Sequence, residues 1–166
     1  MSDHIEVIRL NALDILRRCM DGDADIQRIE DSINIRRDTL TRCTQSISGM
    51  PRGSSGVEDK MAETICEIAE LEQRRTERKR EHAAEMCAGM WIVERLPPDE
   101  RIALKCIYLE GKSIRGTARA MGYSDSSVRR FIQAGERRCA EMYMDSMVGF
   151  LPEWYEQREL TRHGNG

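Results

Sequence analysis

The chain has 166 residues, is 33% charged, 40% apolar and only 5% aromatic, and carries a net charge of −3. That length suits one compact domain or a small domain with an extended part, and apolar residues recurring along it exclude disorder as the general state. No apolar run nears the ~18 residues of a membrane span, while few aromatics and four prolines favour an all-α chain with a Leu, Ile, Met and Ala core.

Asp3 predicts the cap of a first helix over 3–21, with Ile5, Ile8, Ala12, Ile15 and Leu16 on one face and Gly22 as its stop. Asp23 and Asp25 then predict the start of a second helix over 23–48. Its apolar residues Ile26, Ile29, Ile33, Leu40, Cys43 and Ile47 keep a heptad spacing, with Arg36 in the place of one knob. The run from Ser48 to Gly56 (Ser-Gly-Met-Pro-Arg-Gly-Ser-Ser-Gly) is a dense turn signal. A third helix is predicted over 58–95, opening with Met61, Ile65, Ile68 and Leu71 on one face and turning almost wholly charged from Glu72 to His82.

Two helices joined by a tight Gly/Pro loop fold back as an antiparallel hairpin. Its seam is expected to set Ile47, Cys43 and Leu40 against Met61, Ile65 and Ile68, and Arg36 near an acid between Glu67 and Glu72. The seam can close within one chain or between two, so a homodimer through the hairpin is one possible partner. The charged middle is expected to be a solvated face rather than a second nucleic-acid surface, because Glu70, Glu72, Glu77 and Glu81 interleave with its cations. Met50 and Arg52 exceed what a turn needs, so the loop is either a plain connection or a partner-binding tip.

Leu96-Pro97-Pro98 marks a boundary, since proline disfavours a helix before it and suits a first helical turn. Residues 1–96 are therefore assigned to the hairpin region, 97–143 to a second domain and 144–166 to a tail, whose Phe150, Leu151, Trp154 and Tyr155 are expected to pack. In the second domain Ile102, Leu104, Cys106, Ile107 and Leu109 carry a helix that stops at Gly111. Ser113 caps a short helix through Met121 with Ile114, Ala118 and Met121 inward, and Gly122 ends it in the left-handed region. Ser124 caps a last helix to about Ala140, with Val128, Phe131 and Ile132 in the core.

A small residue where two helices cross, a turn residue free to take positive φ and an apolar anchor on the second helix are the requirements of a helix-turn-helix. Ala118, Gly122 and Val128 supply them. The second helix of such a unit offers its N-terminal half to the major groove of duplex DNA, here Asp125, Ser126, Ser127, Arg129, Arg130 and Gln133, with the cap Ser124 beside them. Arg129 and Arg130 can fork onto guanine or hold phosphate, while Ser126 and Ser127 are short enough to permit close approach. Lys112, Arg115 and Arg119, on the preceding helix that crosses the backbone, are expected to contact phosphates, and Arg137 completes the DNA-binding set. From Lys112 to Arg138 there are seven basic and two acidic residues, a local excess inside an acidic chain.

Ser113 to Ser124, together with Val128-Arg129-Arg130-Phe131, is similar to region 4 of the sigma-70 family of RNA polymerase subunits. Asp125, Ser126 and Ser127 stand where that family usually has longer, often charged residues. The resemblance implies specific recognition of double-stranded DNA beside RNA polymerase. The Ser48–Gly56 loop, followed by Glu58-Asp59-Lys60, resembles a signature of small phage and prophage proteins that set a helical hairpin before a region 4-like domain. Those are grouped with late-transcription regulators of the ArpU/RinA type. This second resemblance implies a DNA-binding transcriptional regulator in a bacterial host.

Catalysis is not expected. His4, His82 and His163 lie far apart, and no phosphate-cradling glycine loop, HExxH or GxSxG occurs; cofactors and metals are likewise not expected. A small-terminase-like packaging protein is the closer rival, although such proteins usually carry the DNA-binding unit at the N-terminus, and a protein-interaction module with a silent helix-turn-helix is another. The six cysteines form no CxxC pair, and residues 1–20 lack the apolar stretch of a leader. They are read as reduced apolar residues of a cytoplasmic protein.

Overall fold

The computed structural model describes residues 11–47 and 55–142. Among these the regular elements are all helical: α1 (Ala12–Ile47), α2 (Ser55–Val93), α3 (Pro98–Leu104) continued by a π-helical turn over Lys105–Leu109, α4 (Ile114–Met121) and α5 (Asp125–Ala140). The fold is all-α, as the composition predicts. No helix among the described residues is long and apolar enough to cross a membrane. The expected cap at Asp3, the turn residues 48–54 and the aromatic tail cluster lie outside the described residues.

The expected helix break at Gly22 does not occur, and α1 runs through it. α1 starts at Ala12, where Asn11 accepts the Asp14 N–H at 3.0 Å. A glycine inside a helix costs only ~1 kcal/mol, less than the packing on either side of it. Asp25, expected at a helix start, lies mid-helix and pairs with Arg28 at 2.9 Å and Arg78 at 3.2 Å.

The contacts divide the described residues into two compact units, one within residues 11–21 and 81–142 and the other within residues 22–47 and 55–80. In the first unit, Ala12, Ile15, Leu16 and Cys19 of α1 share one core with Ala88, Ile92 and Val93 of α2, with Leu96, and with Leu104, Tyr108 and Cys139. Three short helices cannot bury enough surface among themselves, so the ends of α1 and α2 complete their core. Gly89 permits a close approach there, because a Cβ on it would lie 2.8 Å from Leu109 Cδ2 and 2.9 Å from Cys19 Sγ. The buried Cys19 thiol donates to the Glu85 carbonyl at 3.0 Å, and all six cysteines are free.

The second unit is an antiparallel hairpin closed within one chain. Asp25 and Glu30 pair with Arg78 and Lys79, and Arg36 and Arg37, further along α1, pair with Glu67 and Glu72, earlier in α2, so the two helices run antiparallel. The Arg36–Glu67 distance is 2.7 Å, which places the expected acid. Ile33 is fully buried and Ile26, Ile29, Leu40 and Cys43 are half-buried, as the heptad predicts. On α2 the half-buried line is Met61, Thr64, Ile68, Leu71, Arg75 and Arg78. Ile65, expected on it, is 52% exposed. The seam keeps a three-four step that turns Arg75 and Arg78 toward Glu30 and Asp25, and this rotation brings Thr64 inward. The charged stretch is thus only partly a solvated face; three of its cations are held by acids of α1.

Candidate nucleic-acid interface

Pro97 precedes α3 and Pro98 opens it, with Asp99 and Glu100 in the first turn where the helix dipole favours acids. The helix widens into the π turn and closes at Gly111, whose φ is 62°. Ile102, one of the apolar residues expected to carry this helix, is 46% exposed. Over a helix this short, the inward side is taken by Ala103 and Leu104, both fully buried.

Ser113 caps α4, accepting the Gly116 N–H at 3.1 Å. α4 ends at Gly122 with φ 73° and ψ 25°, a left-handed conformation that glycine adopts without steric cost. The N–H groups of Gly122 and Tyr123 both donate to the Ala118 carbonyl, at 2.9 and 3.1 Å. Ser124 then caps α5 by accepting the Ser127 N–H at 3.2 Å. The Tyr123 and Phe131 rings meet edge to face, centroids 5.2 Å apart, and clamp the turn onto α5. Two capped helices joined by one left-handed residue form the predicted helix-turn-helix.

α5 is held from behind by the predicted anchor Val128 and by contacts that the periodicity does not disclose. Val128 and Cys139 are fully buried, and Gly135 lets α3 cross so closely that a Cβ would lie 2.8 Å from Leu104 Cδ1. Tyr108 donates to Glu136 at 2.6 Å, and the buried Glu100 accepts from Arg138 at 2.9 Å. Burial, with the Glu136 bond, pushes the Tyr108 hydroxyl well above its ordinary range. Burial pushes the Cys139 thiol up to about 11, with Glu100 and Glu136 adding to the effect. Thr117, fully buried on α4, was not among the predicted inward residues; its hydroxyl has no hydrogen-bond partner among the described residues. A glycine inside a helical pattern is the one sequence signal that could have pointed to Gly135.

Most of the predicted contact residues share the exposed side of this unit. Arg115, Ser124, Ser126, Arg129, Arg130, Gln133 and Arg137 are exposed, and Ser127 is half-buried. Arg115, Arg129, Gln133 and Arg137 have no side-chain partner among the described residues. Ser124 is engaged as the cap, its Oγ lying 2.9 Å from Ser126 Oγ and 3.0 Å from Ser127 Oγ. Arg130 donates to Ser127 Oγ at 3.4 Å. Lys112 differs from expectation: it precedes α4, and its Nζ lies 2.7 Å from Glu110. Their mutual bond holds Glu110 below and Lys112 above their ordinary values. No group of three or more His, Cys, Asp and Glu side chains among the described residues could hold a metal ion.

Residues 92–139 match the family described as Sigma-70, region 4. The match runs from the end of α2 to the last turn of α5, and so covers the helix-turn-helix with the α3 segment that braces it. No curated protein and no solved structure matches the chain.

Proposed function

We propose that this chain is a DNA-binding transcriptional regulator that docks α5 in the major groove of duplex DNA and sets α4 across the backbone. The observation that carries the reading is the outward row of exposed basic and polar side chains on a helix whose opposite face is locked into the core, within the stretch that matches region 4. Major-groove readers present the N-terminal half of such a helix. Exposed arginines there supply both guanine forks and phosphate contacts. The acidic remainder of the chain disfavours indiscriminate adsorption to DNA. Arg115 and Arg137 are assigned to phosphates, as is Lys112 once it leaves Glu110.

Action beside RNA polymerase belongs to the same proposal and is supported by the family match alone. A role of the phage and prophage ArpU/RinA kind is supported by the resemblance of the Ser48–Gly56 loop.

The test is binding of the full chain to fragments of its source genome at two salt concentrations, with Arg129→Ala/Arg130→Ala beside the wild type. A preferred fragment whose advantage the double variant loses supports the proposal. Equal, weak binding of every fragment by both proteins refutes it.

A further inference from the structure

The adjacent arginines of α5 face different ways, because a helix turns ~100° per residue. Val128, Gly135 and Cys139 mark its inner side. Measured from the direction opposite these three, Arg130 lies ~20° away and Arg129 ~80° away. Ser126, Gln133 and Arg137 fall within ~40° of the same outward direction. Ser126, Arg130, Gln133 and Arg137 thus form one exposed line along the helix, and Arg129 stands on its flank, on the side of Asp125. The Ser127 hydroxyl, accepting from Arg130 at 3.4 Å, draws that guanidinium back toward the N-terminal turn, the part of a recognition helix that enters the groove.

We propose that Ser126, Arg130 and Gln133 are the base-reading line of α5, with guanine as the partner of Arg130 and adenine as the partner of Gln133, and that Arg129 serves the phosphate backbone. This assignment rests on the DNA-binding reading above. Ser126 to Gln133 spans ~10 Å of helix axis, about three base pairs at 3.4 Å each. The Arg fork matches the two acceptors of guanine, and the Gln amide matches the acceptor and donor of adenine. Ser126 is short enough to bring the helix close to the bases. Arg129, on the flank, faces the groove wall, where the phosphates lie. Arg137 continues the outward line ~6 Å beyond Gln133, where a straight helix leaves a curved groove, and contacts backbone.

The experiment selects duplexes from a randomised pool with the full-length wild type. It then measures affinity for the selected site, and for each single-base variant of it, across a salt series for wild type, Arg129→Ala, Arg130→Ala and Gln133→Ala. All three positions are exposed, and matching thermal unfolding of the four proteins establishes that each variant folds. Arg130→Ala is expected to erase a 10- to 100-fold preference at one guanine, and Gln133→Ala to erase the preference at a nearby adenine. Arg129→Ala is expected to keep the selected sequence, weaken every duplex alike and reduce the slope of log affinity against log salt by about one. If Arg129→Ala relaxes a base position while Arg130→Ala acts uniformly, the assignment is overturned and the DNA-binding reading stands. If the wild type selects no sequence, both fall.

Discussion

Gly135→Ala measures how tightly α3 is set against α5. The new Cβ would lie 2.8 Å from Leu104 Cδ1, 3.1 Å from Leu104 Cγ and 3.5 Å from Glu100 Cβ. Leu104 is fully buried within the shared core, so it cannot swing away without displacing other side chains. Two effects oppose each other. Alanine is favoured over glycine in a helix interior by ~1 kcal/mol, whereas forcing a methyl into a packed core costs ~1–3 kcal/mol. The expected result is a net destabilisation of about 1 kcal/mol. Leu104→Ala alone should cost ~2–5 kcal/mol through the cavity it leaves. In that background Gly135→Ala fills vacated space, so the clash vanishes and the helix preference remains. The two substitutions should then couple by ~2 kcal/mol. Urea unfolding followed by far-ultraviolet circular dichroism gives all four corners of the cycle. A wild-type background stabilised by Gly135→Ala, or additivity within ~0.5 kcal/mol, would show that the crossing is not tight.

Ser124→Ala removes the α5 cap and should cost ~1 kcal/mol in the same unfolding assay, with Ser126→Ala nearly neutral as its control. Tyr108→Phe removes the donor to Glu136 and should cost ~1–3 kcal/mol, a bond to a charged acceptor in a partly buried place; a change below ~0.5 kcal/mol would show that water replaces it. Cys139 and Tyr108 both titrate higher in the folded protein than in the unfolded chain, so the neutral forms are the ones the fold favours. Their contribution is complete below the ordinary values and is lost as pH rises, for Cys139 between 9.0 and about 11. The urea midpoint should hold steady near neutral pH and fall across that alkaline window, and Tyr108→Phe should make the fall shallower; a midpoint that stays level to the upper end of the window would contradict the burial of both groups.

The parts of this protein that the sequence alone determines are those in which a residue acts on its near neighbours. Ser113 and Ser124 cap helices through N–H groups three residues on, Gly111 and Gly122 close helices with positive φ, and Pro97-Pro98 sets a helix start. Heptad spacing in α1 likewise determines which side of that helix turns inward and why Arg36 meets an acid. Tertiary structure decides everything that depends on chain segments far apart. Gly22 looks like a stop and is helical because the packing around it outweighs a glycine's small cost. Ile65 looks like a seam residue and is exposed because Arg75 and Arg78 turn toward acids on α1. Lys112 and Arg138 carry the same charge as the free arginines of α5, yet Glu110 and Glu100 hold them. The core that locks α5 draws on Leu16 and Ile92, one from each long helix. No local period announces that arrangement, because burial is shared among whichever surfaces the completed fold brings together.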